Sequence, residues 1–271
     1  MLPVPAASDG VDDVSRARLR SRYPGPVSEL RWVARYRRNV AASLERAWEN
    51  VLDWEHLPVL HASSFRSIDC EDAGKWGWRA ALGLPGPGEA VGARVRVALT
   101  LEEPGDRYAV RTLEGPGKGT EIWTSLTGLS EHETGIEVRF GVPDVLPEHA
   151  DAVGKAYVEL YTRLWDEDEG MMVERERALR RLRARHATDR IDLGAEGELR
   201  RRAPVEVEAR GRVFRVEHDA EGWRAYSTTC PHLLGPLERH GEELVCPWHG
   251  YRFDLASGRS CEGRRLELAP A

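Results

Sequence analysis

Cys230-Pro231-His232-Leu233-Leu234-Gly235-Pro236-Leu237 and Cys246-Pro247-Trp248-His249-Gly250 are the stretches on which the reading of this chain turns. Each supplies one cysteine and one histidine, as C-x-H, then thirteen residues, then C-x2-H. Two thiolates and two imidazoles suit tetrahedral zinc, but zinc fingers pair like ligands, C-x2–4-C followed by H-x3–5-H. Here each short loop carries one of each type. That division suits a two-iron centre in which the thiolates bind one iron and the imidazoles the other, an asymmetry that raises the potential above that of an all-cysteine ferredoxin. Cys70 and Cys261 fall outside the pattern and are expected to be unligated thiols.

The two loops, with Gly250-Tyr251-Arg252-Phe253-Asp254 and Ser257-Gly258 behind the second, resemble the Rieske domain of oxygenases and ferredoxins. The resemblance implies an all-β domain over 203–271 that binds a [2Fe–2S] cluster through Cys230, His232, Cys246 and His249. Rieske proteins of respiratory complexes carry an additional Cys in each loop, joined as a disulfide, and a Ser after the second loop's Gly. Pro236, Trp248 and Tyr251 stand in those places here. With fewer donors to the cluster sulfurs, the potential is expected at the low end of the Rieske range, about −150 mV.

A second constellation lies upstream, in Glu49-Asn50-Val51-Leu52-Asp53-Trp54-Glu55-His56-Leu57-Pro58-Val59-Leu60-His61. On a helix, positions 49, 53 and 56 share one face, beside an apolar face of Leu44, Trp48 and Val51. His56 and His61 diverge on a continuous helix, but Pro58 stops the helix and lets the chain bring His61 back. The plainer alternative is a surface helix whose histidines happen to neighbour acids. The stretch resembles the mononuclear iron motif of Rieske non-haem iron oxygenases. That resemblance implies His56 and His61 as Fe(II) ligands and Asp53 as the carboxylate linking a metal-bound His to a cluster His, with Glu49 beside it as a further catalytic candidate. A facial triad needs one carboxylate as well. In the family it comes from the long C-terminal helix, which here carries Asp166-Glu167-Asp168-Glu169. With Tyr157, Leu160, Tyr161 and Leu164 as the inward stripe, Asp168 is the expected third ligand and Glu167 the second choice.

Around these motifs the chain divides into a loose leader (1–27), an α+β domain (28–186), a polar linker (187–202) and the cluster domain. The α+β domain opens with a strand near Leu30–Tyr36, then a helix capped by Ser43 that runs through about Asp53 and stops by Pro58. Short Val-, Ile- and Thr-rich segments at 91–101, 108–114, 121–129 and 134–140 predict an antiparallel meander, and 147–185 predicts one long helix. This order resembles the helix-grip fold shared by START-like (SRPBCC) proteins and Rieske oxygenase catalytic domains. Trp76, Trp78 and Trp123 are candidates to line its pocket, or else ordinary core aromatics.

A formal charge of −6 leaves no basic field for a nucleic acid, and no apolar run is long enough to span a bilayer. The N-terminal Met1-Leu2-Pro3-Val4-Pro5 lacks the basic and apolar regions of a secretory signal, so a cytoplasmic location is expected. The family resemblance implies an oxygenase that uses O2 to hydroxylate, demethylate or desaturate a small apolar or aromatic substrate. No Gly-rich nucleotide fingerprint follows a strand, so electrons must come from NAD(P)H through a separate ferredoxin or reductase. In the family, electrons cross between subunits of a ring, usually a homotrimer. Here the domain order is reversed, which also allows transfer within one chain. The competing readings are an electron carrier, or a redox sensor, fused to a START-like ligand-binding domain without a catalytic iron.

Overall fold

The computed structural model describes residues 30–87, 91–102, 105–184 and 190–271; the leader expected over 1–27 lies outside them. The first domain opens with β1 (Leu30–Val40), α1 (Leu44–Leu52) and the one-turn α2 (Leu57–Leu60). The meander follows: β2 (Ser67–Gly74), β3 (Gly77–Pro85), β4 (Val91–Glu102), β5 (Arg107–Glu114), β6 (Glu121–Ser130) and β7 (Glu133–Pro143). Its strands pair in sequence, and β1 adds to β7, giving one antiparallel sheet in the order β1-β7-β6-β5-β4-β3-β2. The long helix α3 (Ala150–Arg183) packs along β1 and against α1. This is the helix-grip arrangement expected from the element order.

Alternation along the strands puts one face of the sheet on the core. Trp78, Ala80 and Leu82 on β3, Val95, Val97 and Leu99 on β4, and Ile136, Val138 and Phe140 on β7 are all buried there. Trp78 also donates its indole N–H to Val51 O at 3.2 Å, tying the sheet to α1. Trp123 does not line this interior. Ile122 and Leu126 of β6 point inward, so the intervening Trp123 falls on the opposite face, between the guanidinium groups of Arg107 and Arg111, 5.1 and 5.0 Å from its ring. Trp76 sits at the β2–β3 turn, half-buried.

The inward stripe of α3 also differs in phase from the expected one. Tyr157, Tyr161, Trp165 and Met172 meet the core, whereas Leu160 and Leu164 are half-buried outside it. Trp165 takes the place expected of Leu164 because a helix turns about 100° per residue and the larger ring wins the interior position. Asp168 follows Trp165 by three residues and is buried on that same side.

Within the expected linker, Glu196–Arg202 forms a short helix, α4. The cluster domain then consists of two three-stranded antiparallel sheets. The first is β8 (Val205–Ala209), β9 (Arg212–Asp219) and β10 (Gly222–Ser227); the second is β11 (Glu238–His240), β12 (Glu243–Val245) and β13 (Arg252–Asp254). Tyr226, Leu237, Leu244, Trp248, Phe253 and Leu255 fill its core, joined by Met171 from α3 and Leu60 from α2. None of the described helices is long and apolar enough to cross a membrane.

Candidate metal centres

The two Cys/His loops fold alike. Cys230 N donates to Gly235 O (2.8 Å) and Leu234 N to Cys230 O (3.0 Å); Cys246 N donates to Tyr251 O (2.9 Å) and Gly250 N to Cys246 O (2.8 Å). The fifth residue of each loop, Leu234 or Gly250, has positive φ, 63° and 69°. Gly235 has to be a glycine for a different reason: a Cβ there would lie 2.7 Å from the Trp248 ring and 3.1 Å from Cys246 Sγ. The loops thus close face to face, with Cys230 and Cys246 each 1% exposed and the rings of His232 and His249 4.6 Å apart.

A hydrogen bond from the Cys230 thiol lowers the Cys246 pKa, against burial, and the backbone N–H groups of Trp248 and His249 add to the effect. Among the described residues, His232 Nδ1 and His249 Nδ1 are buried without a hydrogen-bond partner. Two orphaned ring nitrogens and two buried thiols on the paired loops form a donor set that fits a [2Fe–2S] group, because a buried unpaired acceptor is costly unless something else occupies it.

The upstream constellation is assembled differently. α1 ends at Leu52 with Asp53 as its C-cap, close to the end expected at about Asp53, and Asp53 is extended, with its carboxylate Oδ1 accepting from Glu55 N at 3.2 Å. Such an Asp-to-i+2 turn competes with the helix, so the chain breaks five residues before the proline. Glu49 and Asp53 therefore do not share the continuous face expected for them. Glu49 turns to Arg46 and to Arg175 of α3, whose Nη2 lies 2.9 Å from its carboxylate, and stays away from the histidines. Burial disfavours its charge, but Arg175 and Arg46 hold its pKa below the ordinary value.

His56 caps α2 and His61 ends it, so the helix turn brings both imidazoles to one place. Their rings are 5.1 Å apart, and they are 3% and 1% exposed. Asp168 Oδ1 lies 3.0 Å from His61 Nε2 and 3.5 Å from His56 Nε2. One ligand atom from each of His56, His61 and Asp168 falls within 4.8 Å of the others, a spacing that suits two imidazoles and a carboxylate around one ion. Glu167, the second choice for that carboxylate, instead accepts from His61 Nδ1 at 2.6 Å, behind the ring. Burial disfavours a charged His61, yet Asp168 and then Glu167 raise its pKa.

Asn50, which the motif contains without an assigned role, donates from Nδ2 to Asp168 Oδ1 at 2.9 Å. Burial raises the hydroxyl pKa of both Tyr108 and Tyr161, and the nearby Asp168 charge adds to it, so both phenols stay protonated beside the site. Tyr108 does not stand out in the sequence, where it reads as one more position in a strand, and Tyr161 is expected there only as part of the inward helical stripe.

The two centres meet at Asp53. His249 Nε2 donates to Asp53 Oδ2 at 2.7 Å, and His56 Nδ1 lies 3.7 Å from the same oxygen. Burial raises the Asp53 pKa, but the hydrogen bond from His249 and the nearby His56 ring outweigh it and hold the carboxyl well below the usual range. In turn Asp53, again against burial, pushes His249 up to about 9. Both residues belong to one chain, 196 positions apart.

Residues 189–267 match the family described as the Rieske [2Fe-2S] domain. No curated protein matches the chain. Among solved structures, the Zhui aromatase/cyclase from Streptomyces sp. R1128 is similar at 17% identity, covering 56% of this chain and 98% of that one, with a TM-score of 0.46. A START superfamily protein from Mycobacterium smegmatis is similar at 20% identity over 51% of this chain and 95% of that one (TM-score 0.44). Norcoclaurine synthase from Thalictrum flavum is similar at 17% identity over 55% and 97% of the respective chains (TM-score 0.43).

Proposed function

We propose that this chain, a START-like α+β domain followed by a Rieske domain, is a non-haem iron oxygenase that oxidises a small apolar or aromatic substrate with O2, using electrons from a separate reductase. The observation that carries the proposal is Asp53, held 2.7 Å from His249 of the Rieske domain and 3.7 Å from His56 of the other. An electron carrier or a ligand sensor has no need of a buried carboxylate joining a cluster-side imidazole to a second imidazole–carboxylate group.

In this reading Cys230, Cys246 and the Nδ1 atoms of His232 and His249 hold the [2Fe–2S] cluster, and His56, His61 and Asp168 hold Fe(II). When bound, the cluster supplies one electron at a time and the ferrous ion offers open positions for O2 and substrate. The chain's own residues do the positioning. Glu167 takes the Nδ1 proton of His61 in a hydrogen bond and so presents Nε2 to the metal, while Asn50 fixes the Asp168 carboxylate. Asp53 takes the Nε2 proton of His249 in a hydrogen bond and stands behind His56, orienting both rings from one oxygen. Burial of His56, His61 and Asp168 excludes bulk water from the site.

Iron per chain tests the proposal. Anaerobically purified protein is expected to hold three irons, and His56→Ala is expected to hold two with the cluster absorption intact. A wild-type count of two would favour a carrier or sensor, and a bleached cluster in His56→Ala would refute the division of ligands.

A further inference from the structure

The seam between the domains carries a second polar contact that the proposed chemistry does not use. Tyr251, two residues after His249, donates its hydroxyl to Glu55 Oε2 at 2.6 Å, and Glu55 lies two residues after Asp53. Arg264 Nη2 donates to the same Glu55 oxygen at 3.2 Å, and its guanidinium carbon stands 4.0 Å over the Tyr251 ring. The pairs 53–249 and 55–251 therefore have the same sequence offset, 196. A single hydrogen bond lets two domains pivot; two in register fix both separation and orientation. A hydroxyl-to-carboxylate bond of this length is charge-assisted and among the stronger ones available to a protein. Glu55 is moreover coupled to Asp53 directly, through its own N–H on Asp53 Oδ1.

Apolar contacts beside it run the same way. Val59 is close enough that a Cβ on Gly250 would lie 3.4 Å from it, and Leu60 and Met171 complete the Rieske-domain core. At the far end of α3, Gly211 (φ 73°) abuts the helix so tightly that a Cβ would fall 2.6 Å from Leu182 Cα. The Rieske domain is thus seated on α3 of its own chain at two places, Met171 and Leu182.

We infer that Glu55, Tyr251 and Arg264 form a docking clasp that holds His249 on Asp53 of the same chain, so that the route between the two metal centres is complete within one polypeptide. The three are positioning residues. The clasp rests on the proposed cluster ligands and not on the mononuclear iron; only the route onward to a second centre rests on the proposed function.

The test reads the reduction potential of the loaded cluster. A carboxylate bonded to His249 stabilises the more positive, oxidised cluster, so Asp53→Asn should raise the potential; Asp53→Ala serves as a second variant should the first load poorly. Tyr251→Phe breaks the clasp without changing charge and should raise the potential part of the way to the Asp53→Asn value. Arg264→Leu separates the alternatives by sign. Loss of a positive charge acting alone lowers the potential, whereas a loosened clasp raises it. In the Asp53→Asn background, Tyr251→Phe should add no further rise, since the contact it positions is already gone. An unchanged potential in Asp53→Asn, or additive shifts in the double variant, would overturn the clasp.

For the single-chain route, Asp53→Asn is co-expressed with a cluster-free Cys230→Ser/Cys246→Ser chain that keeps Asp53. The cluster should stay at the Asp53→Asn potential, and a return to the wild-type potential would overturn the assignment. An iron count of two with this cycle intact would remove the oxygenase reading and leave the clasp standing.

Discussion

The two candidate centres are built by opposite strategies. The Rieske loops draw all four candidate ligands from residues 230–249, and each loop is closed by its own backbone hydrogen bonds. The His56/His61/Asp168 group joins residues 107 positions apart, and only the packing of α3 against α1 and the sheet brings its carboxylate into place. A self-contained pair of loops survives transplantation between folds; a site assembled across a domain depends on everything that sets the helix. The two centres are therefore vulnerable in different places. The first depends on its ligands and the residues between them, the second also on residues from other elements, such as Asn50 and Glu167, that hold its ligands in place.

The largest effect is expected at the local site. Cys230→Ser is expected to abolish the visible and EPR signals of the cluster and lower the iron count from three per chain to one, leaving the second site loaded. Survival of the cluster spectrum would show that the loops do not hold it. At the distributed site the support can be removed while every ligand is kept. Glu167→Gln weakens the acceptor behind His61 and is expected to cost about 10- to 100-fold in Fe(II) affinity, measured by competition with a chelator, with the cluster spectrum unchanged.

The smallest expected effect is at Glu49, which braces α1 against α3 through Arg175. Its pKa is lowered in the folded protein, so the stability it adds is present above its ordinary value of 4.5 and is lost as the pH falls from there through the lowered folded value. Glu49→Gln should therefore reduce the melting temperature at neutral pH, by the equivalent of about 1 kcal/mol or less, and flatten its decline below pH 4.5. A decline as steep as wild type would remove Glu49 from the acid response.

What could be read in the sequence followed the same division. The cluster loops were legible because their ligands and their spacing lie in one short window. The meander and the long helix were legible because alternation and helical repeat are local signals. Phase was harder to read: Trp123 and Leu164 differ from inward residues by one position, and only the packed sheet and helix decide which neighbour faces the core. The loss of the face shared by Glu49, Asp53 and His56 was hidden because Pro58 is the louder breaker, while the turn at Asp53 is made by a side chain accepting from a backbone N–H two residues on. Spacing alone puts Glu49 on the face of Asp53 and His56, because Arg175, its actual partner, lies 126 positions away. The contact between Asp53 and His249 leaves no pairwise signal in a single sequence, and both routes, within and between chains, were compatible with the motifs.

Helix α3 has a consequence beyond geometry. Asp168 and Met171 are three residues apart, which on an α-helix separates their directions by roughly 60°. One turns to the histidines of the first domain and the other to the core of the second. The helix is thus a party wall, and neither side can melt without stripping the other of a surface it needs. The two domains should lose their structure in one calorimetric transition, and filling either metal site should raise the temperature at which the whole chain unfolds.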